Sequence, residues 1–256
     1  MTASSVHIVV PCYNEGERLA PAPFLGFLSA NSSCRLCFVN DGSTDGTSDR
    51  VAEIRGREPD RVTVLELSAN VGKAEAVRAG VKAILTKGGA DYIGYWDADL
   101  ATPLTEFPAF LNAALEKPGR GFICGSRICR MGAEVRRYWH RHYFGRVFAT
   151  AASIVLGLPI YDAQCGAKLI RVDLAEPLFR EPFISRWLFD IELIARLIAE
   201  LGYAQTADAL YELPLSRWED KGDSKVTLSY LPRVPWELWR IARQYRSVLR
   251  KGSHQG

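Results

Sequence analysis

Asp97 and Asp99 are the residues from which chemistry starts in this 256-residue chain. An apolar run, Tyr92 to Trp96, ends abruptly in Asp97-Ala98-Asp99-Leu100, which places two carboxylates where a buried strand leaves its sheet. Side chains at i and i+2 of an extended segment point the same way, so the pair is arranged to share one hard divalent cation. A second kind of chemistry lies between Arg127 and Arg146, where arginines 127, 130, 136, 137, 141 and 146 and two histidines face one acid, Glu134. Arginines at this density suit a phosphate.

The elements that must position these groups read as alternating strands and helices. Val6–Pro11 is short, β-branched and apolar, as a parallel strand buried on both faces is, and Leu36–Val39 repeats the design; Val62–Leu67 alternates as a third strand and the apolar run Tyr92–Trp96 is the fourth. Polar clusters follow them: Cys12-Tyr13-Asn14-Glu15-Gly16, Asn40-Asp41-Gly42-Ser43-Thr44-Asp45-Gly46-Thr47 with Asp45 as a helix cap, and Asn70-Val71-Gly72-Lys73. A helix is expected from Ala76 through Gly80 to Leu85, another at Leu104–Leu115, then strand Gly121–Gly125, an apolar helix Phe144–Leu158, a polar loop 160–166, strand Ala167–Ile170, helix Phe189–Leu201 and strand Leu210–Leu215. Arg217–Lys225 reads as a loop too polar for the core. This alternation predicts an α/β fold, a doubly wound, mostly parallel, Rossmann-like sheet, with ligands outside the carboxyl ends of the strands.

Composition narrows the classes. A net charge of +3 from 32 basic and 29 acidic residues offers no global field for nucleic acid. The start, Met1 to Ser5, lacks a signal peptide's basic and apolar regions, so a cytoplasmic protein is expected. The longest apolar stretch, Val147 to Ile160, falls short of the ~20 residues a membrane span needs. Six cysteines with no second pair for Cys34 and Cys37 read as buried thiols rather than a zinc site. Residues 1–232 are expected to form one domain, followed by a basic amphipathic helix and tail, 233–256. There Leu238, Ile241, Ala242, Tyr245, Val248 and Leu249 share a face flanked by Trp236 and Trp239, with Arg240, Arg243, Arg246, Arg250 and Lys251 opposite. Such a helix suits either a membrane interface or packing on the domain.

Taken in order, these motifs resemble family 2 glycosyltransferases of the GT-A fold: Val9-Val10-Pro11-Cys12-Tyr13-Asn14-Glu15, Val39-Asn40-Asp41-Gly42-Ser43-Thr44-Asp45, Asn70-Val71-Gly72-Lys73 and Asp97-Ala98-Asp99. The second half is similar to the dolichyl-phosphate β-glucosyltransferase and polyprenyl-phosphate sugar synthase branch, through Gly125-Ser126-Arg127, Asp162-Ala163-Gln164-Cys165-Gly166-Ala167-Lys168, Arg186-Trp187-Leu188-Phe189-Asp190-Ile191-Glu192 and Trp218-Glu219 with Gly222, Ser224 and Lys225. The resemblance implies Mg²⁺ or Mn²⁺ on Asp97 and Asp99, and a donor site of Pro11, Tyr13, Glu15, Asp41, Lys73, Asp97 and Ala98. It further implies catalytic roles for Asp99, Arg127, Asp190 and Lys225, and an acceptor phosphate on Arg127, Arg136, Arg137, Arg141 and Lys225. The expected reaction is inverting transfer of a hexose, glucose from UDP-glucose, to a polyprenyl phosphate at the cytoplasmic membrane face. A saccharide acceptor with Asp190 as general base is the alternative; a phosphate anion attacks without one. A non-catalytic membrane-surface protein is disfavoured by acids at every motif. A sugar nucleotidylyltransferase is disfavoured by the absence of a Gly-rich, Arg-containing loop after the first strand. The eukaryotic branch members carry an N-terminal anchor and polyprenyl-phosphate sugar synthases often carry C-terminal spans; neither is expected here, so membrane contact is assigned to the 144–158 and C-terminal helices, the alternative being a soluble acceptor.

Overall fold

A computed structural model describes residues 4–136, 139–221 and 233–249, with the backbone alone described at 136 and 139–145. The first half alternates β1 (Val6–Cys12), α1 (Pro21–Ala30), β2 (Cys34–Asn40), α2 (Thr47–Arg57), β3 (Val62–Glu66), α3 (Lys73–Lys87) and β4 (Tyr92–Trp96). A 3₁₀ turn at Leu104–Glu106 leads into α4 (Phe107–Glu116), so the helix expected from Leu104 starts one turn late. Then come β5 (Phe122–Ser126), β6 (Glu134–Arg136), α5 (Trp139–Leu156), β7 (Ala167–Arg171), α6 (Val172–Leu178), α7 (Phe189–Leu201), α8 (Tyr203–Ala209), β8 (Leu210–Pro214), β9 (Arg217–Glu219), α9 (Val234–Gln244) and α10 (Arg246–Leu249).

Seven strands form one sheet in the order β3-β2-β1-β4-β7-β5-β8. It is mostly parallel, as expected; β7 alone among its strands runs antiparallel, between β4 and β5. The period of two sorts side chains between the faces. Val6, Ile8 and Val10 join Leu36 and Phe38 under α1, α2 and α4, whereas Val9, Cys37 and Val39 meet α3, α6 and α7 on the other side. Gly80 lets α3 press close to the sheet, since a Cβ there would stand 2.5 Å from a Val9 methyl.

A third cluster joins α5, α7 and α9 through Ala152, Leu156, Ile191, Ile194, Ile198, Leu238 and Ile241. Residues 189–198 of α7 are consequently buried on all sides, and the buried Glu192 is neutralised by Arg196 at 2.8 Å.

The expected polar loop 160–166 is present and largely buried, because Glu212 accepts the N–H groups of Tyr161 and Asp162 at 2.8 and 2.6 Å and draws the loop inward. Two expectations are corrected. The segment after Leu215 is not all solvated loop: β9 pairs in parallel with β6, and Trp218 is buried. The continuous C-terminal helix breaks at Tyr245 into α9 and α10, whose apolar side chains pack on the third cluster while Trp236 and Trp239 stay exposed. Of the cysteines, Cys129 is exposed and the other five are buried. No described helix is long and apolar enough to cross a membrane.

Candidate active site

The loops after β1, β2 and the segment before α3 are tied into one rim. Asn14 N donates to Ser43 Oγ and Asn14 Oδ1 accepts from Thr44 N, both at 2.9 Å, while Glu15 N reaches Thr47 Oγ1 at 2.7 Å. Asp45 Oδ1 receives the Thr47 N–H at 3.0 Å in the turn before α2, but the N-cap position is Gly46 and no side chain caps the helix, which corrects the capping role expected of Asp45. Glu15 is buried and pairs with Arg18 at 2.9 Å; Tyr13 stands half exposed above it, with Pro11 partly covered at the strand end. Asn14 adopts φ +49°, a left-handed turn that asparagine tolerates.

Asp41 does not face open space. Its carboxylate accepts from Val71 N at 2.7 Å, Gly72 N at 2.9 Å and Asn70 Nδ2 at 3.0 Å, and so pins the segment that delivers Lys73. Lys73 Nζ lies 2.5 Å from Asp97 Oδ1.

The two acids of the opening motif lie beyond the strand rather than on it. β4 ends at Trp96, Leu100 N closes a turn onto Asp97 O at 3.1 Å, and Leu100 takes φ +51°. Asp97 N extends the ladder to Gly166 O at 3.0 Å, and Asp99 Oδ1 accepts from Ala101 N at 3.0 Å. Ala98, between them, is buried. Burial, and after it the charge of Asp97, raise the Asp99 carboxyl pKa. Two crowded carboxylates with oxygen donors and one of them held up in this way fit a divalent cation, which would relieve that repulsion. Among the described residues no set of three His, Cys, Asp or Glu side chains gathers as a complete cage. The two aspartates would thus supply part of a shell that a diphosphate and water complete.

Asp190 opens α7 and is buried. Its Oδ1 accepts from Lys168 Nζ at 2.6 Å and from the Tyr95 hydroxyl, while Lys168 also donates to Cys165 O at 2.7 Å. Burial works against the Lys168 ammonium, but Asp190 outweighs it and leaves the lysine pKa above its ordinary value. The same holds for Lys73, where Asp97 and then Asp190 prevail over desolvation. Two lysines and two carboxylates therefore alternate through the floor of the site. Burial, then the neighbouring Asp190, hold the Tyr95 phenol protonated well above its usual range.

Arg127 is not an open phosphate ligand on all edges. Asp162 takes its Nε and Nη2 at 2.7 Å each and its backbone N–H at 2.9 Å, and the guanidinium stands 5.4 Å from the Trp218 ring centroid. The side chains of Arg136, Arg137 and Arg141, and Lys225 altogether, lie outside the described residues. Arg130 is exposed, and Arg146 stacks 4.0 Å above the Tyr161 ring centroid. Gln164 Nε2 donates to Trp187 O at 3.3 Å.

Sequence reasoning assigned no role to Lys168, Tyr95, Asp162 or Glu212. A lysine inside the apolar strand Ala167–Ile170 was the one legible signal, since an unpaired buried ammonium is not tolerated. The Arg127–Asp162 pair spans 35 residues and left no local trace.

The comparisons with known proteins agree with this geometry. The model of glycosyl transferase family 2 matches residues 7–179. A dolichyl-phosphate beta-glucosyltransferase of Trichomonas vaginalis is 31% identical over 253 residues, covering 94% of this chain and 72% of its relative. A polyprenol monophosphomannose synthase of Mycolicibacterium smegmatis is 29% identical over 239 residues, covering 91% and 86%. Among solved structures, glucosyl-3-phosphoglycerate synthase from Mycobacterium tuberculosis, in complex with Mn2+, UDP-glucose and phosphoglyceric acid, gives a TM-score of 0.68 at 18% identity over 96% of this chain and 80% of its own. That likeness is one of fold. The chain belongs to glycosyltransferase family 2 and has the GT-A architecture.

Proposed function

We propose that this glycosyltransferase moves a hexose, glucose from UDP-glucose, onto a polyprenyl phosphate at the cytoplasmic face of a membrane, with inversion. The observation that carries the reading is the state of Asp190: its Oδ1 is committed to Lys168 and Tyr95. Taking a proton there would leave the buried Lys168 ammonium short of its counter-charge. Asp190 is therefore a poor general base, which disfavours a saccharide hydroxyl acceptor and favours one that is already an anion. Relatives that bear the names of dolichyl-phosphate glucosyltransferase and polyprenol monophosphomannose synthase support the same acceptor class.

In this reading Pro11, Tyr13, Glu15 and Asp41 line the nucleoside end of the donor site, Asp41 through the 70–72 segment that it holds. Asp97 and Asp99 hold Mg²⁺ or Mn²⁺, which supplies positive charge to the departing diphosphate. Lys73 adds a fixed positive charge beside Asp97. Arg127, oriented by Asp162, turns its remaining Nη1 toward the acceptor phosphate, with Arg136, Arg137, Arg141 and Lys225 completing the anion site.

Membrane contact is assigned to α9, where exposed Trp236 and Trp239 carry Arg240 and Arg243 at 4.8 and 5.2 Å from their ring centroids. Aromatic and cationic groups on one exposed surface suit an anionic interface.

The test offers several nucleotide sugars together with Mg²⁺, a short polyprenyl phosphate and, in a parallel reaction, a soluble saccharide. Mass spectrometry is expected to show a glucosyl phospholipid product. Transfer to the saccharide alone would establish the alternative, and no glycolipid from any donor would end the lipid reading.

A further inference from the structure

Arg186 lies in the segment before α7, and the family resemblance gives it no role. Although exposed, its side chain is bound at two points: Nε donates to Val71 O at 3.1 Å and Nη2 to Asn70 O at 3.0 Å. Its own carbonyl accepts the Ala74 N–H at 3.4 Å. Gly72 makes room for this contact, for it adopts φ +95° and a Cβ there would stand 2.8 Å from Arg186 Nε. The opposite edge of the same three residues is held by Asp41, through Val71 N, Gly72 N and Asn70 Nδ2.

A carboxylate thus grips the donors of the 70–72 segment and a guanidinium grips its acceptors. Both are charge-assisted bonds, and the two grips reinforce each other by polarising the peptides between them. The next residue is Lys73, the first of α3, with its ammonium on Asp97.

We propose that Arg186 is a positioning residue for the donor diphosphate, acting through the 70–72 segment to place Lys73 against Asp97. This rests on the donor-side reading of Lys73 and Asp97 given above. It also joins the donor rim to α7, because Asp190, in the first turn of that helix, lies four residues beyond Arg186. An arginine is required, since two carbonyls in fixed positions ask for a planar fork and a lysine serves one at a time.

The experiment measures UDP binding in Mn²⁺ by calorimetry, and steady-state kinetics with UDP-glucose, for the full chain and its Arg186→Ala, Arg186→Lys, Lys73→Ala and Arg186→Ala/Lys73→Ala variants. Arg186→Ala is expected to weaken UDP binding and raise the donor KM about tenfold, with kcat, acceptor KM and thermal midpoint nearly unchanged. Arg186→Lys should recover only part of the loss. The double variant should bind UDP no more weakly than Lys73→Ala alone, because the two residues act on one placement. Unchanged UDP affinity in Arg186→Ala, or losses that simply add, would overturn the inference while leaving the donor site standing. Wild-type protein that binds no UDP would overturn the donor reading and this inference with it.

Discussion

At position 166 a side chain would collide with the chemistry: a Cβ there would lie 1.8 Å from Asp97 Oδ2. Gly166→Ala is expected to rotate the Asp97 carboxylate away from Lys73 and from the cation proposed for it, lowering kcat/KM about 100-fold. The thermal midpoint should move little, since the clash is relieved by one side chain. Metal-titrated kinetics beside a melting curve checks both halves. His7 offers a second residue-scale test. Buried on β1 with no hydrogen-bond partner on Nε2 among the described residues, its pKa is lowered to about 4 by burial, then by Arg35 and Lys87. The unfolded chain accepts that proton near 6.5. A lowered folded pKa means stability is full above about 6.5 and falls as the pH drops toward 4, by up to about 3 kcal/mol. Chemical denaturation of wild type and His7→Gln between pH 7 and pH 4 should show the slope flattened in the variant. Among such residues, Asp97 and Asp99 were legible because an abrupt end to an apolar run is a local pattern. The commitment of Arg127 to Asp162 was not, because ion pairing across 35 residues depends on where two loops meet.

At the scale of elements, β1 to β4, α2 and α3 could be read from periodicity, since β1, β2 and β4 are buried on both faces and α2 and α3 carry one apolar stripe each; α1 was not read, and edge strand β3 is fully buried only at Val62. The reading was weaker where polar sequence enters the interior. β9 was missed because Arg217 and Glu219 flank the single buried Trp218, whereas loop 160–166 was read as a loop but its burial was not, since that depends on Glu212 from β8. The α3–β1 contact carries an element-scale prediction. Gly80→Val would drive methyl groups into Val9 and Val39, a Cβ at 80 already meeting their side chains at 2.5 and 2.9 Å. Overpacking of this kind costs about 1–3 kcal/mol and should lower the thermal midpoint accordingly. A midpoint equal to wild type would show that α3 can move off the sheet freely.

For the molecule as a whole, the net charge of +3 is too small to draw it to an anionic surface, so the assigned membrane contact must be local. Trp236 and Trp239 are more than half exposed, and neither supports the core. Their joint replacement by alanine is expected to reduce sedimentation with anionic lipid vesicles several-fold while leaving turnover of a short, water-soluble polyprenyl phosphate near wild type. Equal vesicle binding would assign α9 to packing alone. The general architecture was readable from the order of the motifs, whereas the contact of α5, α7 and α9 was not, because three amphipathic stripes do not reveal which neighbours they will choose.

The antiparallel strand β7 has a consequence for how the enzyme comes into being. Asp97 emerges early from the ribosome, yet the strand that completes its ladder and the glycine that accommodates its carboxylate arrive some 70 residues later. Until then the carboxyl end of β4 lacks the carbonyl that accepts the Asp97 N–H, and the turn holding Asp97 and Asp99 has one side open. That turn is therefore completed only when the sheet closes around β7.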